Sequence, residues 1–399
     1  MSKSAFKIKN LSQLIPMQGV SYSPAPSDDT VPPPPQRFFD TDFANSSFPL
    51  LWGPRPIAGD TATKSKGRDD IKNLSKIGVN FIHLYNWSVP PAPGSSPSPY
   101  QRNHLPFLTH CANHNVKVFV PISNYFMELI HNGGGTSSAV KADIAAMVAE
   151  VYSTTDAHGN PAAVAGVGMW GVANEYDLAT TTFDVNDVAT AMAYLVEAET
   201  AANIPADNLL PVTSPVSFVQ TSLPPGIEAI QNLQIAIKAN KTLTVKKKKR
   251  DFWKDRFVAS TNPFNGGEFL TTYISTTFPK YFPDVPFFFA EMGCSIPTGT
   301  SVTTEKEQAK FVATQLAATV PNGNFIGRCV FQFLDQTAMK TGTETTFGMN
   351  KFPPTKKPTS PIPTGKIQPT GYVPGGGETY NVDPLTQKPL YAIVKTAYA

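Results

Sequence analysis

The stretch GVGMWGVANEYD, residues 166–177, decides the fold reading because an apolar run of strand length ends abruptly in Asn174 and Glu175. A second stretch, VPFFFAEMGCS at 285–295, ends the same way in Glu291. A carboxylate at the tip of a buried strand costs several kcal/mol of solvation unless it is hydrogen-bonded or used. Two such strands therefore point to one polar centre.

Outward from these two, the same pattern recurs: a short run rich in Val, Ile and Phe, a polar or Gly/Pro-rich loop, then a helical stretch. Strands are expected at 16–22, 79–85, 116–122, 166–173, 209–213, 256–261, 285–290 and 328–334. Helices are expected at 68–77, 102–113, 137–152, 185–202, 226–239, 266–276, 304–319 and 384–397. Eight strands alternating with eight helices give an α/β fold, the (β/α)8 TIM barrel. The alternative is a doubly wound open sheet, since strand runs do not report closure. Such a barrel takes roughly 250 residues and tolerates insertions past about 400, so residues 1–399 read as a single catalytic-type domain. The extra length lies in two long strand-to-helix loops, the first at 23–66 and the eighth at 342–379, both rich in Pro. These loops rise from the face where barrel active sites are built and could wall a cleft or merely decorate it.

Composition narrows the function classes. With 41% hydrophobic and 16% charged residues the chain has ample material for a large core. A formal charge of +3 gives no case for a nucleic-acid partner. The basic run at 246–250 falls in a helix-to-strand connection and reads as a solvated loop rather than a polyanion or targeting signal. Cys111, Cys294 and Cys329 match neither a zinc module nor a disulfide framework. No run approaches the roughly 20 apolar residues of a membrane span. The first twenty residues lack a signal-peptide core, so cytoplasmic placement or export by another route is expected. His110 and His114 stand at helical spacing without an accompanying H-E-x-x-H, and read as a solvated helix face. Neither a phosphate-binding G-x-x-x-x-G-K-[ST] loop nor a G-x-S-x-G elbow occurs. No metal or organic cofactor is expected.

The dipeptide Asn-Glu occurs by chance about once in a chain of this length, so its placement carries the weight. Strands four and seven face each other across a barrel mouth, where two carboxylates can flank a glycosidic bond. At about 5 to 5.5 Å apart, one attacks the anomeric carbon and the other protonates the departing oxygen, with net retention. Glu291 is the expected nucleophile and Glu175 the expected acid/base. Asn174 has the donor and acceptor to hold a sugar 2-hydroxyl, or else packs between strands. Aromatic residues near strand ends offer sugar platforms or core: Tyr22, Trp52, Tyr85, Trp87, Tyr125, Trp170, Tyr176 and Phe333, with Trp87 and Tyr176 the preferred platforms.

With these residues in place the chain resembles the clan of retaining barrel glycosidases that carry an Asn-Glu acid/base on the fourth strand and a Glu nucleophile on the seventh. Within it, MQGVSYSP (17–24), IGVNFIHLYNW (77–87), TNPF (261–264), VPFFFAEMGCS and FQFLDQTAMKTGTETTFGMN (331–350) resemble glycoside hydrolase family 17, the β-1,3-glucanases, and the related β-1,3-glucanosyltransferases. The resemblance implies a retaining β-glycoside hydrolase or transglycosylase acting on β-glucan, β-1,3-linked, with an oligo- or polysaccharide as partner and Asn262 among the substrate-binding residues. Two departures stand out. His83 occupies the position where clan members often carry Arg, and Phe264 the position where family 17 often has Tyr. Phe cannot orient the nucleophile as a phenol would; Tyr85, Tyr125 and Tyr273 are the candidates to replace it. The same departures keep open a non-catalytic carbohydrate-binding or structural protein on a glycosidase-like barrel.

Overall fold

A computed structural model describes residues 8–24, 44, 49–54, 67–87, 103–133, 138–245, 250–297, 299, 301–318, 323–336, 345–352, 366–367, 380–381 and 385–399. Most of the two long loops and residues 246–249 of the basic run lie outside the described residues.

The strands are β1 (Met17–Ser21), β2 (Phe81–His83), β3 (Lys117–Ile122), β4 (Val167–Val172), β5 in two pieces (Val212–Thr213 and Pro215–Ser217), β6 (Ala259–Asn262), β7 (Phe287–Met292) and β8 (Phe325–Val330). All pair in parallel, each with its sequence neighbour, and β1 pairs with both β2 and β8. The circuit is completed at β5. Its first piece pairs with β4 through Trp170 and Val212, its second with β6 through Pro215 and Ser260. Val212 also bridges to Phe257 beside β6. The fold is therefore a (β/α)8 barrel, and closure excludes the open doubly wound sheet. The interruption of β5 at Ser214 has a simple cause, because Pro215 has no N–H to give to a ladder.

The strands are apolar on both faces, as parallel strands must be when helices cover them. Met17, Phe81, Phe119, Met169, Val258, Phe288 and Ile326 form one cluster inside the barrel, closed at one end by Leu14. The alternating residues Val20, Ile82, Val118, Val120, Val216 and Phe289 join the helix faces in the outer core. The interior is filled to contact: a Cβ at Gly171 would sit 1.8 Å from the Phe119 ring.

Outside lie α1 (Asp70–Ser75), α2 (Leu105–Asn113), α3 (Ser138–Val151), α4 (Val185–Ala201), α5 (Ile227–Ala239), α6 (Gly267–Thr272), α7 (Glu305–Ala317) and α8 (Pro389–Tyr398). Asp184 and Thr304 open α4 and α7 with capping boxes, each satisfying otherwise orphaned backbone donors. The C-terminal helix packs on α7, and the Tyr398 hydroxyl donates to Gly19 O, tying the last helix to the first strand. An additional helix, Asn124–Asn132, sits in the loop between β3 and α3, outside the eight helices expected from the sequence.

Candidate active site

Asn174 and Glu175 leave the end of β4 on a turn in which Ala173 and Glu175 adopt φ of 60° and 53°. Non-glycine residues rarely occupy this left-handed region and do so at a cost of order 1–3 kcal/mol each. Backbone bonds hold the turn. The Glu175 N–H donates to Pro215 O at 2.8 Å, the Asn174 N–H donates to Asn124 Oδ1 at 2.7 Å, and Asn124 Nδ2 returns a bond to Asn174 O at 2.9 Å. Asp177 accepts from both the backbone and the hydroxyl of Ser217, fixing the next residues against the end of β5.

Glu291 reaches the same mouth by a different device. Strict alternation along β7 would send it outward, since Phe288 and Ala290 face the barrel interior. The register against β8 shifts between Phe289 and Met292. This irregularity turns Glu291 toward the mouth and Met292 to the outer core. Glu291 is 6% exposed.

A continuous run of hydrogen bonds joins the two carboxyl groups. The Tyr85 hydroxyl donates to Glu291 Oε1 at 2.9 Å, and Asn174 Nδ2 donates to the same oxygen at 3.3 Å. Asn262, buried at the end of β6, directs its Nδ2 to Glu175 Oε1 at 3.0 Å and to Asn174 Oδ1 at 3.2 Å. Two amides thus link Glu291 to Glu175. Burial and the charge of Glu291 push the Tyr85 phenol well above its ordinary pKa, which keeps it a donor. Of the three tyrosines that could orient Glu291, Tyr85 donates to it directly. Tyr273 instead donates to Pro225 O, and half-buried Tyr125 packs on Phe126 beside Asn124.

His83 lies beneath this array, 1% exposed, with its ring against Tyr85 and Phe119. Nδ1 is 3.1 Å from Ala290 O. Burial lowers its pKa to about 4, the carbonyl contact pulling weakly the other way. The ring is therefore neutral at pH 7 with its proton on Nδ1, since a carbonyl can only accept. It braces the strand residue preceding Glu291 and brings no charge to the mouth.

Four of the aromatic residues expected as sugar platforms are buried. Trp87 is fully buried and stacks on His104 at 3.8 Å between centroids. Tyr176 is buried with its hydroxyl donating to Ala229 O. Tyr22 and Phe333 pack on each other in the core, and the Tyr22 hydroxyl donates to Asp70 Oδ2. These four rings belong to the core between sheet and helices. Phe264, by contrast, is 39% exposed and lies against Phe331 and Phe347. The residue missed from the sequence is Asn124, whose only signal was its position just beyond the end of β3.

No protein-family profile matches the chain, and no curated protein matches it. Among solved structures the chain is similar to CJP38, a β-1,3-glucanase and allergen of Cryptomeria japonica pollen, with a TM-score of 0.47 and 12% identity, covering 71% of this chain and 90% of that one. It is also similar to an FMN-binding β-glucuronidase from Facaelibacterium prausnitzii L2-6, with a TM-score of 0.49 and 14% identity, over 86% of this chain and 45% of that one. A GH2 β-galacturonidase from Eisenbergiella tayi gives a TM-score of 0.44 and 13% identity, over 82% and 46%. Likeness at this level bears on neither substrate nor mechanism.

Proposed function

We propose that the chain is a retaining β-glycoside hydrolase or transglycosylase acting on β-glucan, with Glu291 as nucleophile and Glu175 as acid/base. The observation that carries the reading is the hydrogen-bonded run Tyr85–Glu291–Asn174–Asn262–Glu175 at the mouth of the barrel. In the first displacement Glu291 attacks the anomeric carbon while Glu175 protonates the glycosidic oxygen. In the second, Glu175 takes a proton from water or from a sugar hydroxyl, which releases the glycosyl group from Glu291. Water gives hydrolysis and a sugar hydroxyl gives transfer. Tyr85 and Asn174 hold the attacking carboxylate by neutral donors. Neither displacement needs an electron carrier or a Lewis acid. The β-1,3 preference rests on the resemblance of the strand motifs to family 17.

The test is turnover of laminarin-type, cellulose-type and mannan-type oligosaccharides with product lengths measured, beside trapping with a 2-deoxy-2-fluoro glycoside. The expected results are cleavage or transfer of the laminarin-type substrate, a covalent sugar on the Glu291 peptide, and no turnover by Glu291→Gln. Full activity of Glu291→Gln would end the proposal. The neutral His83, where a cation is common in the clan, favours a second reading as a carbohydrate-binding barrel without turnover. Saturable oligosaccharide binding by a wild-type protein that neither turns over nor labels would select it.

A further inference from the structure

We propose that Asp69, His110 and His114 form a binding site for one divalent transition-metal ion, zinc(II) in the first instance, pinning the start of α1 to the end of α2. His110 and His114 are four residues apart, so the helical repeat puts both rings on one face. The rings meet edge to face with centroids 4.7 Å apart. Asp69 comes from a separate segment, and its Oδ1 lies 2.9 Å from His110 Nε2. One possible ligand atom from each of the three residues lies within 4.8 Å of the others, and among the described residues this is the one such group.

The donor set is chemically apt. Two imidazoles and one carboxylate suit zinc and its neighbours, whereas magnesium or calcium would want oxygen ligands throughout. Zinc bonds of about 2.0–2.2 Å in a tetrahedron give ligand-to-ligand edges of about 3.4 Å. The present 2.9 Å edge must open slightly and the longest one close, movements within reach of side-chain rotation. All three residues are half-buried, so water can take the fourth position. The Trp52 ring lies 5.8 Å from the His110 ring and shields one side.

Asp69 is also not spent on helix capping. It precedes α1 with φ of 56°, and its side chain makes no bond to the backbone of that helix. The opposing force is cationic. Lys72 Nζ stands 4.0 Å from Asp69 Oδ2, and Lys76 is near enough to act on His114. Affinity in the micromolar range is the expectation, with Lys72 displaced from Asp69.

The site has a structural consequence. Asp69 adjoins Asp70, which accepts from Arg68 and from Tyr22 on the segment leaving β1. A bound ion would hold that buried network in place.

The experiment uses untagged, EDTA-stripped full-length protein. Zinc chloride is titrated by calorimetry, and cobalt(II) reports coordination by its visible absorption. One equivalent should bind, raise the melting temperature and give a four-coordinate cobalt spectrum. Asp69→Asn and His114→Gln should each weaken binding at least tenfold, while His131→Gln and His158→Gln leave it unchanged. Should His114→Gln fail to fold, zinc protection of His110 and His114 against diethylpyrocarbonate in the wild type gives the same reading. Absence of saturable binding, binding undiminished in a folded His114→Gln, or equal modification of both histidines with and without zinc would overturn the site.

Discussion

Acidification should unfold this protein partly through one imidazole, His83. The ring is buried, its pKa lies near 4, and the unfolded chain restores it to about 6.5. The unfolded state thus binds the proton first, so the contribution is complete above pH 6.5 and is lost as pH falls toward 4. Integrating that difference gives a loss of about 2 kcal/mol between pH 7 and pH 5, and about 3 kcal/mol by pH 4. Carboxylates in general also titrate as the pH falls, so the quantity to measure is a difference. Urea unfolding of wild type and His83→Leu should be followed at pH 7.5, 6, 5 and 4.5. Leucine forfeits the contact with Ala290 O at every pH, which lowers the whole curve, but it removes the titration. Wild type should therefore lose its advantage over the variant as pH falls. Parallel curves from pH 7.5 to 4.5 would refute the assignment of a neutral, buried His83.

Tyr85→Phe removes a hydroxyl donating to a carboxylate, an interaction worth about 1.5–3 kcal/mol, so kcat/KM should fall roughly 10- to 150-fold with the fold intact by circular dichroism. Phe264→Ala should raise KM for oligosaccharides several-fold, on the order of 1 kcal/mol of stacking, and leave kcat on small activated glycosides nearly unchanged. Lys388→Met should cost about 3–5 kcal/mol in denaturant unfolding at pH 7.5, because Lys388 Nζ bonds both oxygens of the buried Asp335 and the remaining carboxylate would lose its counter-charge. The loss should shrink as pH falls through about 6, the pKa to which burial raises Asp335 against the pull of Lys388, since the protonated acid needs no cation.

The barrel was legible because parallel strands buried on both faces are written as unbroken apolar runs. Strands at 116–122 and 166–173 need no tertiary context to be found, and their observed bounds differ from expectation by a residue or so. β5 was harder: its first piece starts at Val212 rather than 209, and its second, Pro215–Ser217, lies beyond the expected run, past the break at Ser214. Glu175 and Glu291 were visible as polar ends to apolar runs, yet their convergence depends on things no spacing encodes. One is the irregularity in β7 that turns Glu291; another is the left-handed turn held by Asn124, fifty positions earlier in the chain. The aromatic residues were the weakest guide. An aromatic side chain near a strand end satisfies the core and the cleft equally well from sequence alone, and only its contacts decide between them.

The two departures noted in the sequence, His83 from the clan pattern and Phe264 from the family 17 pattern, each have a physical counterpart in the mouth. Where a phenol near Phe264 is missing, a phenol from β2's far end takes the task, since Tyr85 already bonds Glu291. Where an arginine is missing, the strand beneath the nucleophile is braced by His83 through Ala290 O without adding charge. A carboxylate held by a phenol and an amide keeps more of its negative charge for attack than one paired with a guanidinium. Phe264 presents an exposed ring beside Phe331 and Phe347, two residues after the Asn262 that bonds Glu175. Under the proposed glycosidase reading, orientation of Glu291 falls to Tyr85 and Phe264 is left as an apolar surface on which a sugar could stack.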